Sequence, residues 1–353
     1  MTTKRVKLRD NEEPLEQSGG SYFAAPKTKI DFIGSGAALL DCVVGGGWPL
    51  GRVSNIVGDK STGKTLLAIE ACANMLRKYP EGRIWYREVE AAFDLDYAAA
   101  LGMPVSRIDF SEKASLFTIE QVAADIEAIL KRSERQPGLY IIDSLDALSD
   151  AAELERDLGE ATYGTAKAKG MSEMFRRITQ KVEASNIHLM FISQIRDNIG
   201  ALVGKKYTRA GGHALDFYAS QVVWLSKLEQ LNRTIDGVAR AVGVRIKAKC
   251  EKNKIALPFR ECELDLKFGY GIDELGAGVD WLASVKRLPD IGGDIDWTKK
   301  DAKGKLSGPA QYFKHVDALP DAEYRAETER LNKIVTSVWY EIEQQFLPTR
   351  RKY

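Results

Sequence analysis

The segment Gly58-Asp59-Lys60-Ser61-Thr62-Gly63-Lys64-Thr65 constrains this chain more than any other, because it fits the spacing G-x-x-x-x-G-K-[ST]. A short apolar, β-branched run at 52–57 enters it, and a pattern of helical period leaves it from residue 65. Glycines let successive backbone N–H groups wrap an anion without Cβ clashes, and the helix N-terminus adds the positive end of its dipole. The pattern predicts a nucleotide cradle built from Gly58, Asp59, Lys60, Ser61, Thr62, Gly63, Lys64, Thr65 and Leu66. Lys64 is expected to neutralise the β- and γ-phosphates of ATP, and the Thr65 hydroxyl to ligate Mg²⁺.

Such a loop needs an acid at the end of a neighbouring strand. Leu139-Tyr140-Ile141-Ile142-Asp143 supplies one, so Asp143 is the second expected metal-side residue. Apolar runs of strand length at 53–57, 139–142 and 187–192 alternate with helical patterns at 65–77, 118–132 and 171–184. Strands that alternate with helices predict a mostly parallel, twisted sheet covered on both faces. Residues 1–29 read as a polar, flexible arm, and after about residue 275 the texture changes to Gly-rich turns, then a long amphipathic stretch at 322–346.

Composition closes off other classes. The 51 Lys and Arg nearly cancel the 50 Asp and Glu, so net charge does not argue for a polyanionic partner. No apolar run approaches the ~18–20 residues of a membrane span, and residues 1–10 do not read as a secretory signal. Cys42, Cys72, Cys250 and Cys262 lack Cys-x-x-Cys spacing and read as buried thiols in a reducing cytoplasm.

Four further segments resemble the RecA family of bacterial recombinases, from residue 30 onward. In Glu88-Val89-Glu90-Ala91-Ala92-Phe93-Asp94-Leu95-Asp96-Tyr97, the resemblance assigns water activation to Glu90 and adenine contacts to Asp94 and Tyr97. Taken alone, Glu90 is one of 50 acids and would attract no attention. In Phe191-Ile192-Ser193-Gln194-Ile195-Arg196, Gln194 corresponds to the amide that senses the γ-phosphate; an amide both donates and accepts, so it can exchange partners. Lys252-Asn253-Lys254-Ile255-Ala256-Leu257-Pro258-Phe259 is similar to the family motif whose two lysines reach ATP on the neighbouring subunit, and Phe268 is a further pocket residue.

The last segment, 197–212, is glycine-rich and basic and resembles the second DNA-binding loop of the family. Arg196, Ile199, Lys205, Lys206, Arg209, Gly211, Gly212 and His213 are the DNA contacts implied there, and Phe217 an allosteric interface residue. The first DNA loop is placed at 156–164, with Tyr163 and Gly164 as contacts and Lys169 and Arg176 behind it on a helix. An aromatic at Tyr163 can stack on a base.

The chain also departs from the family pattern. The N-terminal arm is short, Asp216 and Val222 stand where the family has basic residues, and Arg350-Arg351-Lys352 replaces an acidic tail. A divergent or bacteriophage-encoded member fits these differences.

The resemblance implies an α/β fold with a RecA-like P-loop core at 30–275; the chain's own texture adds a flexible arm at 1–29, a candidate subunit-docking segment, and a small C-terminal α/β domain at 276–353, whose basic residues are expected to help gather duplex DNA. It implies an ATP- and Mg²⁺-dependent, DNA-stimulated ATPase that forms a helical filament on single-stranded DNA and pairs it with homologous duplex. The expected setting is the cytoplasm, at the nucleoid or in a host cell, with no membrane partner. The alternatives are an accessory ATPase that binds DNA without exchanging strands, and a hexameric ring motor. The paired lysines argue against the ring, whose relatives reach across with an arginine finger.

Overall fold

The computed structural model describes residues 30–90, 93–110, 118–132, 136–154, 165–197, 207–209, 212–302 and 304–350. The elements run β1 (Phe32–Ile33), α1 (Ala38–Val44), β2 (Trp48–Pro49), β3 (Val53–Gly58), α2 (Lys64–Lys78), β4 (Arg83–Glu88), α3 (Leu95–Ala100) and β5 (Ile108–Asp109). They continue with α4 (Ile119–Arg132), β6 (Gly138–Asp143), α5 (Ala151–Leu154), α6 (Thr165–Glu183), β7 (Ile187–Asp197), β8 (Tyr207–Arg209) and α7 (Gly212–Tyr218). The remainder is β9 (Gln221–Ile235), β10 (Val238–Asn253), β11 (Arg260–Lys267), β12 (Gly271–Ile272), α8 (Glu274–Ser284), α9 (Gly308–Val316) and α10 (Asp321–Gln345).

The main sheet has the order β12-β11-β10-β9-β3-β7-β6-β4-β5, and β8 pairs with β7 off that path. The pairings from β9 through β3, β7, β6 and β4 to β5 are parallel, and β9 to β12 pair antiparallel. Every residue of β3 and of β6 is buried, as expected of parallel strands covered by helices on both sides. The β9–β10 hairpin turns through Asp236-Gly237, both with positive φ, which suits the two-residue turn between twisted strands.

Two apolar cores lie on the two faces of the sheet. One holds Leu40 and Val43 of α1, Leu67 and Cys72 of α2, Leu282 of α8 and Leu331, Val335 and Trp339 of α10. The other holds Val122 and Ile126 of α4, Met171, Phe175 and Ile178 of α6 and Leu215 of α7. All four cysteines are buried and free, as read from their spacing.

The C-terminal segment shares the first core instead of standing apart, and residues Phe32–Tyr353 make one compact unit. Gly278 permits this closeness, because a Cβ there would lie 3.2 Å from both Leu331 and Val335 of α10. The α/β character expected at 276–353 is reduced, among the described residues, to helices and one isolated bridge, Lys300↔Leu306. Long amphipathic α10 satisfies its apolar face on α1 and α8, so no second sheet is needed to cover it. No helix among the described residues is long and apolar enough to cross a membrane.

Candidate nucleotide site

β3, β4 and β6 end side by side where β7 carries Gln194, with Glu88 opposite Asp143 and Gly58 opposite Gln194. The expected residues therefore meet at the carboxyl edge of the parallel sheet, where such sheets bind ligands. The loop after β3 turns through positive φ at Ser61 (57°) and Gly63 (86°) and opens α2 directly. Its start has no side-chain cap and no acidic residue in the first turn, so the first N–H groups of α2 keep their donors for an anion. Lys64, the first residue of α2, curls back over the loop, and its Nζ donates to the Asp59 carbonyl at 2.8 Å. Burial pulls the Lys64 pKa down, partly offset by the charges of Asp143, Glu90, Asp59 and Asp146.

The Thr65 hydroxyl donates to Asp143 Oδ2 at 2.8 Å, and the Tyr86 hydroxyl to the same oxygen at 2.8 Å. Burial raises the Asp143 carboxyl; the hydrogen bonds from Thr65 and Tyr86 oppose this, Glu90 adds to it and Lys64 opposes it. A hydroxyl beside a buried carboxylate is a hard-oxygen donor set of the kind Mg²⁺ takes together with substrate phosphates. Residues and group fit each other.

Next to this pair, Glu90 Oε1 accepts the Ser144 hydroxyl and, at 2.7 Å, the Gln194 side-chain amide. The expected base and the expected sensor thus touch, although 104 residues separate them. Asp143 and Ser144 are joined by a cis peptide bond.

The other expected residues fall into three groups. Asp94 caps α3, its Oδ1 accepting the Tyr97 N–H at 2.9 Å, and Tyr97 is exposed. Phe268 is exposed in the turn after β11, the strand whose Leu266 closes on the loop: a Cβ on Gly63 would meet Leu266 Cδ1 at 2.2 Å. Lys252 and Lys254 both turn to the end of α7. Their Nζ atoms donate to the Phe217 carbonyl at 2.9 and 3.1 Å, Lys252 also to the Asp216 carbonyl, while the Phe217 ring is 70% exposed.

Of the candidate DNA contacts, Lys169 and Arg176 are exposed on α6, seven residues apart and so on one face. Arg196 lies on β7, Arg209 on β8, and Gly212 and His213 on α7. Tyr163, Gly164, Ile199, Lys205, Lys206 and Gly211 lie outside the described residues, as does the N-terminal arm.

Tyr86, Ser144 and Asp146 were not singled out from sequence. A tyrosine inside the buried strand β4 was the available signal, since a buried hydroxyl demands a partner. Asp146 shows none in sequence; its Oδ2 accepts the Gln194 backbone N–H at 2.6 Å only because the turn after β6 meets β7.

The model of the RecA N-terminal domain family matches residues 20–273. Protein RecA of Nostoc punctiforme is 38% identical over 307 residues, 87% of this chain and 81% of the relative. Protein RecA of a second Nostoc species is 37% identical over 297 residues, 84% and 79% of the two chains, and that of Arthrospira platensis 37% over 254 residues, 72% and 66%. The matched span includes the loop that opens α2, the strand that carries Gln194 and the Lys252–Lys254 turn, and it places this chain in the RecA family of ATP-dependent recombinases.

Proposed function

We propose that this chain hydrolyses ATP in a DNA-dependent manner within a filament on single-stranded DNA, and that the filament pairs this strand with homologous duplex in the cytoplasm. The observation that carries the reading is the Glu90 carboxylate, held by Ser144 and Gln194 beside the Thr65–Asp143 pair. A carboxylate fixed by two neutral donors is held in one orientation, which a base for water needs.

Lys64 and the uncapped N-terminus of α2 bind the phosphates of ATP, and Thr65 and Asp143 would hold Mg²⁺, which would supply neutralisation of phosphate charge. Asp94, Tyr97 and Phe268 flank the base. Gln194 exchanges its amide between Glu90 and an incoming γ-phosphate, which frees the carboxylate to take a proton from water when nucleotide and DNA are both in place. Lys252 and Lys254 act on ATP of the adjacent subunit: an acceptor presented there competes with the Phe217 carbonyl for both ammonium groups. Lys169 and Arg176, with the basic residues of 196–213, follow the DNA backbone.

Glu90→Gln should retain ATP binding and lower hydrolysis by about 10²–10⁴-fold. Turnover at the parental rate on single-stranded DNA would remove Glu90 from the role of base. Subunits with Lys252→Ala and Lys254→Ala, mixed with Glu90→Gln subunits, should recover hydrolysis at interfaces where one protomer brings Glu90 and its neighbour both lysines. Co-assembly without recovery argues against action across the interface.

A further inference from the structure

Asp146 lies beside the site without belonging to the residues given a role above. It occupies the short turn Leu145–Ala147 that follows β6. The ladder explains why a carboxylate stands there. β6 pairs with β7 only as far as Ile142↔Phe191, whereas on the other side β3 still pairs through Gly58↔Gln194. Beyond Phe191, β7 lacks a β6 partner, and Asp146 Oδ2 provides an acceptor for the Gln194 N–H at 2.6 Å. An anionic acceptor makes this bond shorter and stronger than a ladder bond between peptides. The turn is anchored from the far side by Lys167 of α6, whose Nζ donates to the Asp146 carbonyl at 3.1 Å and to the Leu148 carbonyl.

A strand fixes the direction of each side chain through its backbone. Holding the Gln194 N–H therefore aims the Gln194 amide, which reaches Glu90 at 2.7 Å. We propose that Asp146 is a positioning residue that aims Gln194 at Glu90, and that Lys167 ties this aim to the first turn of α6, immediately after the first DNA loop of the chain. The Glu90–Gln194 contact is thereby tied to β7 itself and, through Asp146 and Lys167, to α6, the two elements that adjoin the segments expected to contact DNA. The inference rests on the reading of Gln194 as the residue that couples DNA to hydrolysis.

The test measures kcat and KM for ATP, with and without single-stranded DNA, on the full chain carrying Asp146→Ala, Asp146→Asn, Lys167→Met or Gln194→Ala. Asp146→Ala should lower the DNA-stimulated kcat about tenfold, as loss of one charge-assisted hydrogen bond predicts, with KM changed less than about twofold. Asp146→Asn keeps an oxygen acceptor at the same place and should restore at least half of the stimulation, a rescue that a general loss of packing does not give. Lys167→Met should reduce stimulation about threefold.

If Gln194→Ala loses stimulation while Asp146→Ala keeps it, the positioning role is overturned and the reading of Gln194 stands. If Gln194→Ala keeps full stimulation, that reading fails and takes this inference with it. An Asn variant as defective as the Ala variant also overturns the proposal, because charge rather than placement would then be at work. Should Asp146→Ala not fold, the Asn and Met variants decide: near-parental Asn with reduced Met supports the relay, and parental stimulation in both refutes it.

Discussion

Tyr86 and Arg87 are consecutive on β4 and point to opposite faces of the sheet, and each meets an aspartate: Tyr86 the buried Asp143, Arg87 the half-buried Asp125. On one face, the Tyr86 hydroxyl and the Thr65 hydroxyl both donate to Asp143 Oδ2. On the other, Asp125 Oδ2 accepts the Tyr140 hydroxyl at 2.8 Å and Arg87 Nε at 2.7 Å, and the guanidinium also pairs with Asp109 at 3.1 Å. The two networks share an aspartate and a tyrosine and differ in one respect. Asp125 has a cation of its own, whereas the hydrogen-bond donors to Asp143 are neutral and burial raises its carboxyl. A closed ion-pair network serves the fold; a buried aspartate whose donors are neutral has its charge uncompensated, and a cation arriving with substrate would supply that compensation.

The largest expected effect separates the two. On its proposed role beside Mg²⁺, Asp143→Asn should lower ATP hydrolysis by at least about 10²–10³-fold, because the carboxylate charge facing the metal would be lost. The same variant should melt higher than the parent without nucleotide or Mg²⁺. A carboxyl whose pKa is raised by the fold favours folding when protonated, loses that contribution as pH rises through the folded pKa, and is relieved by a neutral isostere. Undiminished hydrolysis in Asp143→Asn would erase the contrast with Asp125.

Arg87→Met should be smaller in activity and large in stability. Removing the buried guanidinium from its half-buried carboxylate partner costs about 1–3 kcal/mol, read from denaturant midpoints, with ATP affinity unchanged at temperatures where the variant is folded. Reduced affinity at full foldedness would show that the two faces are not independent.

Glu274 sharpens the comparison, being a half-buried acid that, like Asp143, has neutral donors: the Ala38 N–H at 3.1 Å and the Asn332 amide at 2.8 Å. Burial pushes its carboxyl up to about 7, against the hydrogen bonds from Ala38 and Asn332. It lies between α1, α8 and α10 with no phosphate loop beside it, so neutral donors alone do not make a metal site. Its contribution to stability is full below the unfolded carboxyl pKa and is lost as pH rises through about 7. Glu274→Gln should therefore stabilise the chain by about 1–3 kcal/mol at pH 8, with the gain vanishing toward pH 5 and hydrolysis unaltered. An equal gain at both pH values would mean that ionisation of Glu274 is not the cause.

The smallest effects belong to the outer surface of α6. Lys169→Ala and Arg176→Ala should each reduce the slope of log affinity for single-stranded DNA against log salt by about 0.7. A slope that does not move removes that residue from the DNA path.

Much of the nucleotide site is legible in the chain because its parts are local. The loop from Gly58 to Thr65 carries spacing, strand and helix within one short stretch, and Asp143 announces itself as the acid that ends an apolar run. Glu90 and Gln194 are legible only by resemblance, since nothing local distinguishes a carboxylate or an amide at a strand end. Tyr86, Asp146 and Lys167 were missed because their partners lie 57, 48 and 21 residues away, and no local period records such a distance. The C-terminal segment was legible as helix in α10 but not in its attachment: an amphipathic stripe states that a face is covered without stating by what.

The sequence by itself determined the phosphate loop, the alternation that makes a parallel sheet, and the buried state of the four thiols, each being a matter of spacing and periodicity along one stretch of chain. The tertiary structure alone decided which of two aspartates is given a cationic partner, where Gln194 aims, and that Lys252 and Lys254 rest on the Phe217 carbonyl in the single chain. The physical reason is that burial, charge compensation and hydrogen-bond partnership depend on the distances between groups in space, and those are set where strands remote in sequence end side by side.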